Sequence, residues 1–275
     1  MEPKKPIRLI CTDIDGTLLD ANRDISPVTA KTLKALKGKI PIVLASSRMP
    51  SAMYYIQEKL DISGSPLIAY NGGLILDGKG EQLYSAVLSL NFLSAVIEHH
   101  KNKNYNISTF CNDVWRTENM DKWTLREINN TRVEPELQPL GSILQTLNKS
   151  HERPQKIMCM GDPDELDDLL LYLEDSGLKT EANCYRSKTT YLEISAKSID
   201  KSQALQLLFD KVYGYKMENI MAFGDNHNDL ELLKNAGFGV AVANATANAK
   251  KAADFVSDFT NKEDAVAKAI ERFLL

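Results

Sequence analysis

The chain has 275 residues, of which 43% are hydrophobic and 25% charged, and carries a formal net charge of -4. That length suits two domains, or one domain with a large insertion. The acidic balance argues against nucleic acid as the main partner, since that would favour a basic face, and no apolar run reaches the ~18 residues that a membrane span needs.

The start, MEPKKPIRLI, lacks the apolar core and small-residue cleavage site of a signal peptide, so the expected location is cytoplasmic. Residues 7–12 then form a short apolar strand that ends in Asp13-Ile14-Asp15-Gly16-Thr17. Acids are depleted in strands and costly to bury unpaired, yet residues i and i+2 of an extended segment share a face. Ser26-Pro27 opens a helix through about Gly38, with Ser as cap and Pro in the first turn. Residues 40–45 (IPIVLA) form a second apolar strand, residues 50–60 a helix, and 66–70 (PLIAY) a third strand. Continuous apolar strands alternating with helices predict a parallel sheet covered on both faces.

The pattern changes near residue 84. A helix from Asn91, paired strands at YNISTFC and DVWRTE, further helices, a strand at QKIMCM and two strands ending in YLEIS predict an α+β unit with an antiparallel sheet. The first pattern then returns: a helix from about Asp200 to Val212, and strands at 219–223, 238–242 and 254–256. The expected organisation is an α/β core of residues 1–83 and 191–275, interrupted by an inserted domain of 84–190. Cys11, Cys111, Cys159 and Cys184 are far apart, form no C-x-x-C pair, and read as reduced, buried thiols.

Ligands of an open parallel sheet bind at the carboxyl ends of its strands. Asp13 and Asp15 follow the first core strand, Ser46-Ser47-Arg48 the second, and Asn71-Gly72-Gly73 the third; GDNHND (224–229) follows the strand at 219–223, and Asn244 the next. Asp13, Asp15, Asp225 and Asp229 in one crevice would raise one another's pKa unless cations were present. Hard oxygen ligands with few histidines suit Mg2+. One residue of GDNHND, Asn226 or Asn228, is expected to serve as a helix cap, and His227 as a plain loop residue. Asp200 and Gln203 predict a capping box that puts Lys201 in the first helical turn. A cation there opposes the helix dipole, at a cost of ~0.3–1 kcal/mol, which fits a lysine aimed at the acids or at a bound anion.

DIDGT, the strand-end serine of LASSR, the isolated lysine before a helix and GDNHND, in this order, resemble the four motifs of the haloacid dehalogenase-like superfamily. The place and length of the insertion resemble its Cof-type, sugar-phosphatase-like branch with a large α/β cap (type IIB). The resemblance implies a Rossmann-like, doubly wound parallel-sheet core with an inserted α+β cap domain. It implies an Mg2+-dependent phosphatase in which Asp13 is the nucleophile that forms an aspartyl-phosphate, and Asp15 is the general acid and base. Ser46 and Lys201 would hold the phosphoryl oxygens. Asp13, the backbone carbonyl of Asp15, and Asp225 would hold the metal, with Asp229 supporting from close by. Asn228, Asn71-Gly72 and the Ser47-Arg48 stretch match substrate-side positions.

Ser47, Ser202 and Ala243 stand where the family often has glycine, which bears on loop shape and substrate contact. The expected substrate is a small phosphorylated metabolite such as a sugar phosphate, taken by a monomer or small homo-oligomer. A phosphomutase on the same scaffold and a non-catalytic phospholigand sensor are the alternatives, although the sensor should have lost one of the two acids. Trp115, Arg116, Trp123 and Arg126 could line the cap's mouth, though aromatics at such spacing are more often core.

Overall fold

In the computed structural model, which describes residues 2–197 and 199–275, the first apolar run becomes β1 (Leu9–Thr12), buried along its whole length. Ser26 accepts the N–H of Thr29 to cap α1 (Pro27–Lys34). Then come β2 (Ile42–Ala45), α2 (Ser51–Leu60) and β3 (Leu67–Ala69), followed by two strands that sequence patterning missed, β4 (Leu74–Leu76) and β5 (Gln82–Ser85).

The inserted segment contains α3 (Leu90–His100), β6 (Asn106–Cys111), β7 (Val114–Thr117), α4 (Lys122–Thr131), β8 (Glu136–Leu137), α5 (Leu140–Lys149), β9 (Lys156–Met160), α6 (Pro163–Asp175), β10 (Ala182–Lys188) and β11 (Tyr191–Ala196). The chain then returns through α7 (Lys201–Leu208), β12 (Ile220–Gly224), α8 (Leu230–Asn235), β13 (Phe238–Ala241), α9 (Ala247–Ala252), β14 (Phe255–Val256) and α10 (Ala265–Leu274).

One compact unit comprises residues up to Ser47, Met53–Tyr84 and Asp200–Leu275. Its sheet has the order β14-β13-β12-β1-β2-β3-β4-β5. The strands from β14 to β3 run parallel, while β4 turns back antiparallel to β3, so the sheet is mixed rather than purely parallel. The chain leaves β1 towards β2 and later comes back on β1's other side as β12. That reversal creates a crevice at the carboxyl ends of β1 and β12. The helix expected through Val212 is α-helical only to Leu208 and continues as a π-helical turn over Phe209–Tyr213.

The second unit comprises Arg48–Ala52 and Ser85–Ile199. It therefore runs past the expected boundary at 190, because β11 is hydrogen-bonded between β9 and β10 of the smaller sheet. That sheet has the order β10-β11-β9-β6-β7-β8, antiparallel except for β7 and β8. Alternation puts Ile107, Ile157, Cys159, Leu192 and Ile194 in one core cluster with Phe92 and Val96 of α3, Ile143 of α5 and Leu169 of α6. Trp115 stacks on Phe110 at 5.7 Å, Trp123 meets Tyr191 edge-on, Arg126 lies over the Tyr191 ring, and Arg116 pairs with Glu136 at 2.9 Å. No helix among the described residues is long and apolar enough to cross a membrane.

Candidate active site

The parallel pairing that sets Thr12 beside Phe223 brings the residues after both strands together. The Asp13 N–H continues the ladder to the Phe223 carbonyl at 3.0 Å, so Asp13 and Asp225 emerge side by side. Asp13, Asp225 and Asp229 each present a carboxylate oxygen within 4.8 Å of the others. Lys201, placed by the expected Asp200–Gln203 capping box, reaches into this group. Its Nζ donates to Asp13 Oδ1 at 2.5 Å and to Asp229 Oδ1 at 2.7 Å. The Lys201 and Asp229 side chains are fully buried and that of Asp13 is 6% exposed.

Asp229 is occupied at both oxygens: Oδ2 accepts the N–H groups of Asp225 and Asn226 at 3.0 and 3.1 Å. It braces the loop that carries Asp225. Thr17 Oγ1 donates to Asp225 Oδ1 at 3.1 Å, and Asn244 Nδ2 donates to the Gly16 carbonyl at 2.8 Å. These two supports were visible as polar residues near strand ends, but their partners are distant in the chain. Gly16 has φ +84°, and a Cβ there would lie 2.5 Å from Asp225 Oδ2. The close passage of the two loops therefore requires glycine on both counts.

Burial sets the electrostatics. It pushes the Asp13 carboxyl well above the usual range, against the pull of the Lys201 charge. Burial, with the neighbouring Asp229 charge, pushes Asp225 up to about 7. Burial works against the Lys201 ammonium too, but the charges of Asp13 and Asp229 outweigh it and hold the lysine above its ordinary value. Three carboxylates face one ammonium, which leaves two negative charges uncompensated. Such a donor set fits one divalent cation with a preference for oxygen ligands.

The remaining residues of the motifs fall as follows. Ser46 is buried; its N–H donates to the Ile68 carbonyl, and its own carbonyl accepts the Asn71 N–H at 2.8 Å. Asn71 adopts a left-handed conformation, and its Oδ1 accepts from Asn228 Nδ2 at 2.9 Å. Ser46, Asn71 and Asn228, from three strand ends, thus form one connected chain. Gly72 packs against the start of α7, where a Cβ would lie 2.8 Å from the Asp200 carbonyl. Asn226 takes the expected capping role, accepting the His227 N–H, and His227 is exposed. Ser47 is half-buried. Arg48 groups with the second unit, and its guanidinium donates to the Ala52 and Asn130 carbonyls. Asp15 is half-exposed and stands outside the group of three acids; its Oδ1 accepts from Arg23 Nη2 at 2.8 Å. Sequence patterning did not single out Arg23.

Comparison with known proteins identifies the family. The profile of the haloacid dehalogenase-like hydrolases matches residues 10–270. A 5-amino-6-(5-phospho-D-ribitylamino)uracil phosphatase of Bacillus subtilis (strain 168) is 31% identical over 272 residues, covering 98% of this chain and 96% of the relative. The crystal structure of a haloacid dehalogenase-like hydrolase from Bacteroides thetaiotaomicron superposes with a TM-score of 0.87 at 30% identity, over 97% of this chain and 99% of that one. A sugar phosphatase of subclass IIB shares the fold, with a TM-score of 0.79 at 22% identity over 96% of this chain and 98% of that one. With a matching profile over nearly its whole length, and with Asp13 of DIDGT gathered with Asp225 and Asp229 of GDNHND beside Lys201, the chain belongs to the haloacid dehalogenase-like hydrolases.

Proposed function

We propose that the chain is an Mg2+-dependent phosphatase that hydrolyses small phosphomonoesters, sugar phosphates or related metabolites, through a phosphorylated Asp13. The observation that carries this reading is the buried meeting of Asp13, Asp225 and Asp229 with Lys201. The name of the Bacillus relative supports it, since that enzyme acts on a phosphate carried by a ribityl chain. A carboxylate nucleophile splits a hard displacement into two easier ones. Asp13 bonds to phosphorus as the bond to the leaving oxygen breaks, and Asp15 gives that oxygen a proton. Water then attacks phosphorus, Asp15 takes its proton, and the bond to Asp13 breaks.

Lys201 neutralises the nucleophile and the developing charge. Ser46, Asn228, Asn71 and Gly72, with Ser47 and Arg48, hold the phosphoryl group and its ester. Bound Mg2+ supplies charge stabilisation to the transferring group; its holders are Asp13, the backbone carbonyl of Asp15, and Asp225, with Asp229 behind them. The setting proposed is the cytoplasm, as a monomer or small homo-oligomer. The test is purified chain with excess Mg2+ against a panel of sugar phosphates, polyol phosphates and nucleotides. Release of inorganic phosphate and the free alcohol, abolished by chelation, is expected. Turnover of no member would overturn the reading, and an isomeric phosphate as product would make it a mutase.

A further inference from the structure

We propose that Arg23 is a positioning residue for Asp15, gripping one carboxylate oxygen and so fixing the orientation of the carboxyl group that transfers the proton. The inference rests on the reading of Asp15 as general acid and base. Arg23 Nη2 donates to Asp15 Oδ1 at 2.8 Å. A donor held on Oδ1 fixes the plane of the carboxyl group. The carboxyl proton passes to the leaving alkoxide as the phosphorus–oxygen bond breaks, and the carboxylate then takes a proton from the attacking water.

The turn that carries Arg23 is built rather than incidental. Asp20 Oδ1 accepts the N–H groups of Asn22 and Asp24 at 2.8 and 3.1 Å. The Asp20 N–H donates to the Asp24 carbonyl, and the Arg23 N–H donates to the Asp20 carbonyl. This locks Arg23 at φ 57°, a left-handed conformation that glycine adopts freely and asparagine readily. Arg23 also keeps a buried Nε–H with no acceptor among the described residues.

Stability does not account for an arginine here. The ion pair is 39% exposed on both sides, and exposed pairs return little. A left-handed arginine and a buried unpaired donor together cost more than that. Strain kept beside a reacting group points to use of the side chain, and the contact its guanidinium makes is with Asp15.

The experiment compares kcat, KM and Tm for wild type, Arg23→Asn, Arg23→Lys, Asp15→Asn and the double variant Arg23→Asn/Asp15→Asn. The substrates are para-nitrophenyl phosphate and an alkyl phosphate that the wild type turns over. Asparagine suits the left-handed turn, so Tm should hold. We expect Arg23→Asn to lower kcat on the alkyl ester about tenfold, inside the 10^2–10^4 range of acid–base catalysis, with a much smaller loss on the aryl ester and KM unchanged. Lysine should restore most of it, because the contact uses a single nitrogen. In the Asp15→Asn background, Arg23→Asn should add nothing. Equal losses on both esters, a loss that tracks Tm, or an undiminished effect in the double variant would overturn the proposal. If Asp15→Asn itself fails to separate the two esters, the assignment of Asp15 falls first; if it separates them and Arg23→Asn does not, Arg23 alone is misassigned.

Discussion

Two acids one residue apart in DIDGT sit in opposite surroundings. Asp13 is buried against Lys201, whereas Asp15 is half-exposed at the crevice edge. Their removal should therefore differ in kind. General acid–base help supplies ~10^2–10^4 of a rate enhancement, so Asp15→Asn should leave weak turnover, best preserved on aryl phosphates whose leaving group needs little protonation. Asp13→Asn would remove the proposed nucleophile and a proposed metal ligand together, and turnover should fall to background on every ester. Higher activity for Asp13→Asn than for Asp15→Asn on an aryl phosphate would show the roles to be reversed. Lys201 makes a second, independent prediction. Its ammonium is the cation bonded to both Asp13 and Asp229, and removing one partner of a buried ionic group costs ~3–5 kcal/mol. Lys201→Met should thus lose both turnover and stability, read by urea denaturation without metal; an unchanged midpoint would mean that the acids are neutral and need no partner.

At the scale of elements, the loop 225–229 is braced by Asp229, whose Oδ2 collects two of the loop's own N–H groups while Oδ1 holds Lys201. Asparagine at 229 can still accept those N–H groups, so the loop should keep its shape. Asp225 has an oxygen free to bind a cation, its other oxygen taking the Thr17 hydroxyl. Calorimetric titration with Mg2+ should accordingly show a much larger loss of affinity for Asp225→Asn than for Asp229→Asn, and the reverse order would sink the assignment. The elements most legible in the sequence are those whose cause is local. β1, β2 and β12 are apolar runs buried on both faces, and the Asp200 capping box declares the start of α7. β4 and β5 were hidden because one is a three-residue strand behind Asn71-Gly72-Gly73 and the other a half-buried edge strand with no alternating pattern. The end of the second unit was hidden because only pairing partners decide which sheet β11 joins. The Asn71–Asn228 and Arg23–Asp15 contacts were hidden for a related reason, since side-chain partners 157 residues apart, or across a left-handed turn, leave no periodic trace.

Across the whole chain, the site is assembled from segments far apart in sequence: Thr17 and Asp225, for example, are separated by 208 positions. Its charge balance is therefore coupled to global folding, and pH should reveal that coupling. Asp225 has an ordinary value of 3.8 and is raised to about 7 in the fold, and Asp13 is shifted in the same direction. Between those two pH values the folded state holds protons that the unfolded chain has released. Stability then falls as pH rises. The contribution of Asp225 is fully present below about pH 4 and is lost as pH climbs through about 7, and Asp13 adds to it in the same direction. Lys201 adds no slope in that window, because its value lies above its ordinary 10.5 in the fold. The proposed Mg2+ would bind the ionised acids and displace those protons, so its stabilisation should grow with pH over the same interval. Saturation at about a hundred times Kd stabilises by ~2.7 kcal/mol, which a thermal melt resolves. Melts with and without excess Mg2+ from pH 5 to pH 8 should show curves that nearly coincide at the acid end and separate progressively towards neutrality. A constant separation across the series would mean that these carboxyls are already ionised in the metal-free fold, and that the burial of Asp13 and Asp225 does not govern metal binding.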